Sequence, residues 1–196
     1  MRSLTISSIS TTEPLTLSDA KEHLKIQTTA EDRLIKGYIK ASRIQLENKI
    51  KRALIPTSYN MKLDSFQDII TMPYPPLSST IANVVITYIN ATGTTSICAS
   101  TCYTVDYESE PGKIYLAYNA AWPTDIRLIE SAVKIAFRTG YTTATMPENA
   151  KLWMKYRVGM MYEHREPIFE GRTISYIKRD FIDGLVDNLL VFSTVT

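Results

Sequence analysis

The densest run of groups able to do chemistry is Glu163-His164-Arg165-Glu166. Glu163 and Glu166 have the three-residue spacing that turns two helical side chains toward one face. His164 projects elsewhere, and Arg165 beside them repels a cation, so the run does not assemble a metal site. It reads instead as a helix C-terminus, where Arg165 and His164 complement the dipole. The other histidine, His23, lies between Glu22 and Leu24. Nucleophilic catalysis needs a base within reach of an activated group, and neither histidine accompanies a nucleophile motif. G-x-S-x-G, P-loop and G-x-G-x-x-G patterns are all missing from the sequence. Cys98 and Cys102 have no further cysteine to complete a zinc set. Asp64, Asp68, Asp106, Glu108 and Glu110 are scattered, and nothing in their spacing makes two converge. The expectation is therefore no catalytic residue, no cofactor and no metal: a protein that is not an enzyme. An enzymatic alternative would be a hydrolase built on Glu163, His164 and Glu166.

A second constellation is cationic. Arg33, Lys36, Lys40 and Arg43 recur at helical spacing and form a basic stripe. Its plain reading is a solvated helix face; its functional reading is an acidic partner surface or a DNA backbone. Basic residues also alternate with aromatics between Lys151 and Arg157. That mixture suits single-strand stacking, but helical spacing explains the same aromatics as core.

The elements that would carry these groups can be read from periodicity. Residues 147–165, PENAKLWMKYRVGMMYEHR, form a helix apolar on most sides, opened by Pro147 with capping-box spacing from Thr145 to Glu148. Wide apolar coverage means burial by several neighbours, so this is read as the central helix. Residues 1–14 are Ser/Thr-rich without periodicity and read as a flexible arm. Thr16 caps a short helix ending near Gln27. Thr28 and Glu31 open a long helix running to about Leu54, with Pro56 stopping it. Period-two alternation then marks strands, at Tyr59–Leu63 and Val133–Phe137 most clearly. Between these lie apolar runs at 69–72, 84–89, 102–107 and 113–118, separated by Pro- and Gly-rich turns. After Pro167 comes a loop and then a last helix over roughly 180–192. The fold class expected is α+β: an α-helical bundle of about four helices around a central helix, with an inserted small antiparallel β module. The segments are 1–14 (arm), 15–56 (helical half), 57–141 (β module), 142–166 (central helix) and 167–196 (C-terminal loop and helix).

Size and composition bound the function. A chain of 196 residues buries about 70% of its unfolded surface, ample for a full core. A net charge of +2 implies no bulk attraction to nucleic acid or acidic membrane. No apolar run approaches the length of a membrane span, and the N-terminus lacks a signal-peptide layout. Two cysteines are no disulfide framework, which fits manufacture in a reducing cytoplasm. Tyrosine is frequent, twelve against five phenylalanines. That frequency suits either strands or protein interfaces.

The order of these signals carries a resemblance. Thr16-Leu17-Ser18-Asp19-Ala20-Lys21-Glu22-His23-Leu24-Lys25 precedes Ala30-Glu31-Asp32 and a helix closing with Lys51-Arg52-Ala53-Leu54-Ile55. There follow Pro75-Pro76-Leu77, the Tyr103-to-Asp106 strand, Pro111-Gly112-Lys113-Ile114, Trp122-Pro123 and Thr139-Gly140-Tyr141. Pro147-Glu148 then opens a helix ending Tyr162-Glu163-His164-Arg165-Glu166. The chain resembles the head–tail connector (adaptor) proteins of long-tailed bacteriophages and prophages, in the version with a β insert, from about residue 15 to about 192. It departs from the pattern in its extended polar N-terminus and over 166–180.

The resemblance implies a structural virion protein made in the host cytoplasm and placed at the head–tail interface. It implies a homo-oligomeric ring, a dodecamer in the virion, beneath the portal. Such a ring extends the DNA channel and offers the tail its attachment surface. The partners implied are the portal, a tail-side completion or stopper protein, and other copies. Double-stranded DNA passes without specific binding, and no membrane is involved. The contact candidates are Arg33, Lys36, Lys40, Arg43, Tyr162, Arg165, Ile168, Phe169, Arg172 and Tyr176, with the C-terminal segment facing the portal. The alternative is a DNA-binding accessory protein that uses the basic face of the helix at 30–54.

Overall fold

The computed structural model describes residues 3–78, 84–164 and 182–191. The chain divides into two compact units, Met1–Ser10 with Ile55–Tyr141 and Thr11–Leu54 with Thr142–Thr196.

The first unit is built on β-strands. Six of them follow from short apolar runs between turn residues: β2 (Thr57–Leu63), β3 (Ile69–Thr71), β4 (Val85–Ile89), β6 (Tyr103–Asp106), β7 (Lys113–Leu116) and β8 (Val133–Thr139); β5 (Thr95–Ile97) is a three-residue strand without such a run. The eighth, β1, is Ser3–Ile9. A five-stranded sheet has the order β1-β2-β8-β4-β5, and a three-stranded sheet has the order β3-β7-β6. Every pairing is antiparallel. Alternation puts Tyr59, Met61 and Leu63 of β2 opposite Phe137, Ile135 and Val133 of β8. Ile86 and Tyr88 of β4 meet Ile135 and Val133 from the other side. These rows, with Ile70 and Ile114 from the small sheet, form one core. Tyr59 stacks between Tyr74 and Phe137. After β8 the chain turns at Gly140, whose φ is +105°. A Cβ there would lie 2.1 Å from the Ile55 carbonyl oxygen, so only glycine fits.

The second unit is helical: α1 (Leu17–Leu24), α2 (Asp32–Ile50) and α3 (Glu148–Glu163), followed by a 3₁₀ segment, Gly184–Leu189. The Thr16 hydroxyl accepts the Asp19 N–H at 3.1 Å and caps α1. The buried side of α2 is Ile35, Ile39, Ser42, Arg43, Leu46 and Ile50. That of α3 is Ala150, Trp153, Met154 and Val158. Asn149 at the start of α3 reaches the 3₁₀ segment, which is tied to the end of α2, while Tyr162 reaches Glu31 at the start of α2. Thus α3 runs back along α2.

The expected helical bundle with a small β insert is overturned. Eight strands in two sheets stand beside three α-helices among the described residues, so the fold is mixed α+β with substantial sheet. Three local misreadings explain the difference. The stretch expected as an arm contributes β1, which lies at a sheet edge with both faces largely exposed. Such a strand needs no apolar alternation and so leaves no period-two signal. The last helix, expected over 180–192, is 3₁₀ over Gly184–Leu189. Finally α2 ends at Ile50, where Lys51 takes φ 58°. Residues 52–54 leave the helix and stay buried.

The two expected capping boxes are not formed. Glu31 caps α2 without a side-chain bond, its carboxylate being engaged by Tyr162. The Thr145 hydroxyl accepts the Thr142 N–H instead of capping α3.

Candidate interaction surfaces

The basic stripe comes apart on α2. Arg33, Lys36 and Lys40 are exposed, but Arg43 is only 3% exposed. Its position four residues after Ile39 and three before Leu46 turns it inward. There its Nε donates to Glu13 Oε2 at 2.7 Å and its Nη1 to Glu47 Oε2 at 2.6 Å. Glu47 Oε1 in turn accepts the Leu54 N–H at 2.8 Å. One buried guanidinium therefore joins the segment before α1 to α2 and, through Glu47, to the chain leaving α2. Burial works against the charge on Arg43, but the hydrogen bonds and charges of Glu13 and Glu47 outweigh it and raise its pKa. Burial also pushes the Glu47 carboxyl up, opposed by the Leu54 N–H and Arg43. Arg43, expected on an exposed basic stripe, is thus a buried structural strut.

Tyr162 is half-buried, and its hydroxyl donates to Glu31 Oε2. Arg157 Nε donates to Gln45 Oε1 at 2.6 Å. Both fasten α3 to α2. Of the C-terminal candidates, Arg165, Ile168, Phe169, Arg172 and Tyr176 lie outside the described residues. The Gly184–Leu189 segment buries Val186 and Leu189. Arg52 Nε donates to the Leu189 carbonyl at 2.6 Å, Lys49 pairs with Asp183 at 2.8 Å, and Asn149 donates to the Leu185 carbonyl at 2.9 Å.

Among the described residues, no group of three or more His, Cys, Asp or Glu could hold a metal ion. Glu163 and His164 are exposed, and Glu166 falls outside the described residues. Cys98 and Cys102 are free thiols. Burial and the neighbouring Cys102 push the Cys98 thiol up to about 11, far from a reactive thiolate at neutral pH.

Among the described residues, large apolar side chains are exposed on both units. On the β-unit, Ile6 and Ile9 of β1 are 57% and 48% exposed, and Ile97 of β5 is 73% exposed. The loop from β7 to β8 presents Tyr118 at 95% and Leu128 at 90%. That loop is held to the sheet: Tyr88 donates to Asp125 Oδ1 at 3.0 Å, Phe66 stacks on Trp122 at 4.8 Å, and the Arg127 N–H bonds the Ile89 carbonyl. On the helical unit, Leu34 and Ile44 of α2 and Leu152 and Met160 of α3 are partly exposed. Sequence reasoning did not single out β1, β5 or this loop as exposed apolar surface. The signal available was a β-prone run without charge at 3–9 and large apolar residues outside any periodic stretch.

Comparison with known proteins bears on what such surfaces meet. A family model described as phage gp6-like head-tail connector protein matches residues 14–97. Across that span, less than half of its length, the chain is similar to that family. No curated protein matches this sequence. Solved structures carry the likeness along almost all of the chain. A chain from the neck of an empty GTA particle, computed with C6 symmetry, superposes with a TM-score of 0.73 at 17% identity, covering 97% of this chain and 96% of that chain. One from the virion of a native gene transfer agent (GTA) particle gives 0.72 at 18%, covering 96% and 95%. One from the neck of a native GTA particle computed with C12 symmetry gives 0.70 at 17%, covering 96% of each. At these identities the likeness establishes a shared fold, β-unit included.

Proposed function

We propose that this protein is a structural head–tail connector. Copies form a ring beneath the portal that prolongs the DNA channel and gives the tail its attachment surface. The observation that carries the reading is the near-complete match of both units to neck chains of a gene transfer agent particle, joined to the gp6-like span at 14–97. The surface chemistry agrees. Apolar side chains are spread over both units, as heterologous contacts between copies require. A near-neutral net charge of +2 lets a conduit pass DNA without gripping it. The portal on one side and a tail completion protein on the other are the partners of this reading, and its role is structural, not catalytic.

Electron microscopy of the protein mixed with its portal tests it. A ring stacked coaxially on the portal is the expected result, and absence of association overturns the reading for that pair.

A further inference from the structure

The five-stranded sheet ends at β1 and β5, and among the described residues no further strand pairs with either edge. Soluble proteins normally protect such edges with charge, proline or very short strands, because unpaired N–H and C=O groups recruit other strands. Here β1 reads Ser3-Leu4-Thr5-Ile6-Ser7-Ser8-Ile9, with no charged residue and no proline. Thr5, Ile6 and Ile9 are β-branched, which favours an extended backbone. Ile6 stands 57% exposed. The opposite edge, Thr95-Ser96-Ile97, is protected only by its shortness: it is uncharged, with Ile97 73% exposed. The β1 register shift falls between Ile6 and Ser8, so Ser3–Ile6 remains a regular run. That run is long enough for the three residues of β5.

We propose that these edges meet between copies, with β1 of one subunit adding to β5 of the next so that the five-stranded sheets continue around the ring. The inference rests on the ring proposed above. Polarity follows from the topology. The strands alternate in direction across the order β1-β2-β8-β4-β5, so β1 and β5 point the same way. Rotation about a ring axis preserves strand direction along that axis, and in a ring of many copies the turn between neighbours is small. The junction is therefore parallel. Two different edges joined head to tail make a heterologous contact, the kind that closes into rings. Pairing of β1 with β1 would instead be isologous and stop at a dimer. Backbone hydrogen bonds supply the attraction, and Ile6 and Ile97 lose exposed area at the seam.

Cysteine cross-linking tests this in the full chain, in a Cys98→Ser, Cys102→Ser background. Thr5→Cys and Ser96→Cys are combined, and rings assembled on the portal are treated with a short bismaleimide. The expected result is a ladder of dimers, trimers and larger multiples with the double variant and none with either single variant. Rings visible by microscopy without a ladder overturn the edge pairing and leave the connector reading standing. Dimers from Thr5→Cys alone overturn it in favour of β1 meeting β1. Absence of rings altogether removes the connector reading, and the edge pairing with it. Ile6→Lys gives an independent check. Its side chain is already largely exposed, so the melting temperature should hold while ring formation drops at least tenfold; rings persisting at wild-type yield refute the seam.

Discussion

Arg43 shows how one residue can change meaning between sequence and structure. As the fourth member of a basic stripe it looks available to a partner; in the fold it is the strut between Glu13 and Glu47. Removing one member of such a buried pair leaves charge without compensation. Arg43→Met should therefore lower the unfolding free energy by about 3 kcal/mol, read by urea denaturation. Arg43→Lys should recover little, because an ammonium lacks the planar fork that serves both carboxylates. Wild-type stability in Arg43→Met would show that the strut contributes nothing. A second residue, Asp106, contributes on the acid side of the stability curve. Its carboxylate accepts the Ser109 hydroxyl and the N–H groups of Ser109 and Glu108. The Ser109 hydroxyl foremost, then these N–H groups, hold its pKa below the usual carboxylate value. With the folded pKa depressed, the stabilisation is present above the unfolded value and disappears as pH falls through the folded one. Asp106→Asn should make melting temperature less dependent on pH below about 4, and an unchanged acid slope would refute this.

At the scale of elements, burial on one face decided what could be read in advance. β2 and β8 alternate because one face of each is buried, Met61 and Ile135 included, and the alternation is visible in the chain. β1 is exposed on both faces and β5 is three residues long, so neither leaves a period to find. The helices were legible for the same reason as β2, while their ends were set by contacts from far along the chain. Tyr162 takes the Glu31 carboxylate that could have capped α2, and α2 stops where Lys51 turns left-handed. The inward direction of Arg43 was readable from its place in the row Ile35, Ile39, Leu46 and Ile50; its partner Glu13, thirty residues earlier, was not. The Gly184–Leu189 segment is held in the same long-range way. Asn149 donates to the Leu185 carbonyl and to Asn188 Oδ1 at 2.8 Å, and Arg52 donates to the Leu189 carbonyl. Asn149→Ala should raise amide exchange across residues 184–189 at least several-fold while leaving the middle of α3 protected, because apart from the Ala150 N–H in the first turn of α3 the side-chain bonds it removes go to that segment. Equal exchange in both variants would mean that the buried Val186 and Leu189 suffice to hold it.

For the whole molecule the question is whether it holds DNA or lets it pass. With Arg43 buried, the exposed stripe on α2 is reduced to Arg33, Lys36 and Lys40. Three phosphate contacts would give a slope of log affinity against log salt of about −2.7 on duplex DNA. Non-specific binding of that kind lies at or above about 10⁻⁶ M at physiological salt even for proteins that use it. A connector that gripped phosphate more tightly would resist genome passage at every copy of the ring. The expectation for the isolated protein is therefore weak duplex binding, with no saturable shift at micromolar concentration in about 150 mM salt. Arg33→Ala, Lys36→Ala and Lys40→Ala together should leave that result unchanged. Submicromolar binding with a slope near −3 that vanishes in the triple variant would sink the connector reading's account of the stripe. It would make α2 the binding element of a DNA accessory protein. The titration separates the two because the rival readings assign opposite consequences to the same three side chains.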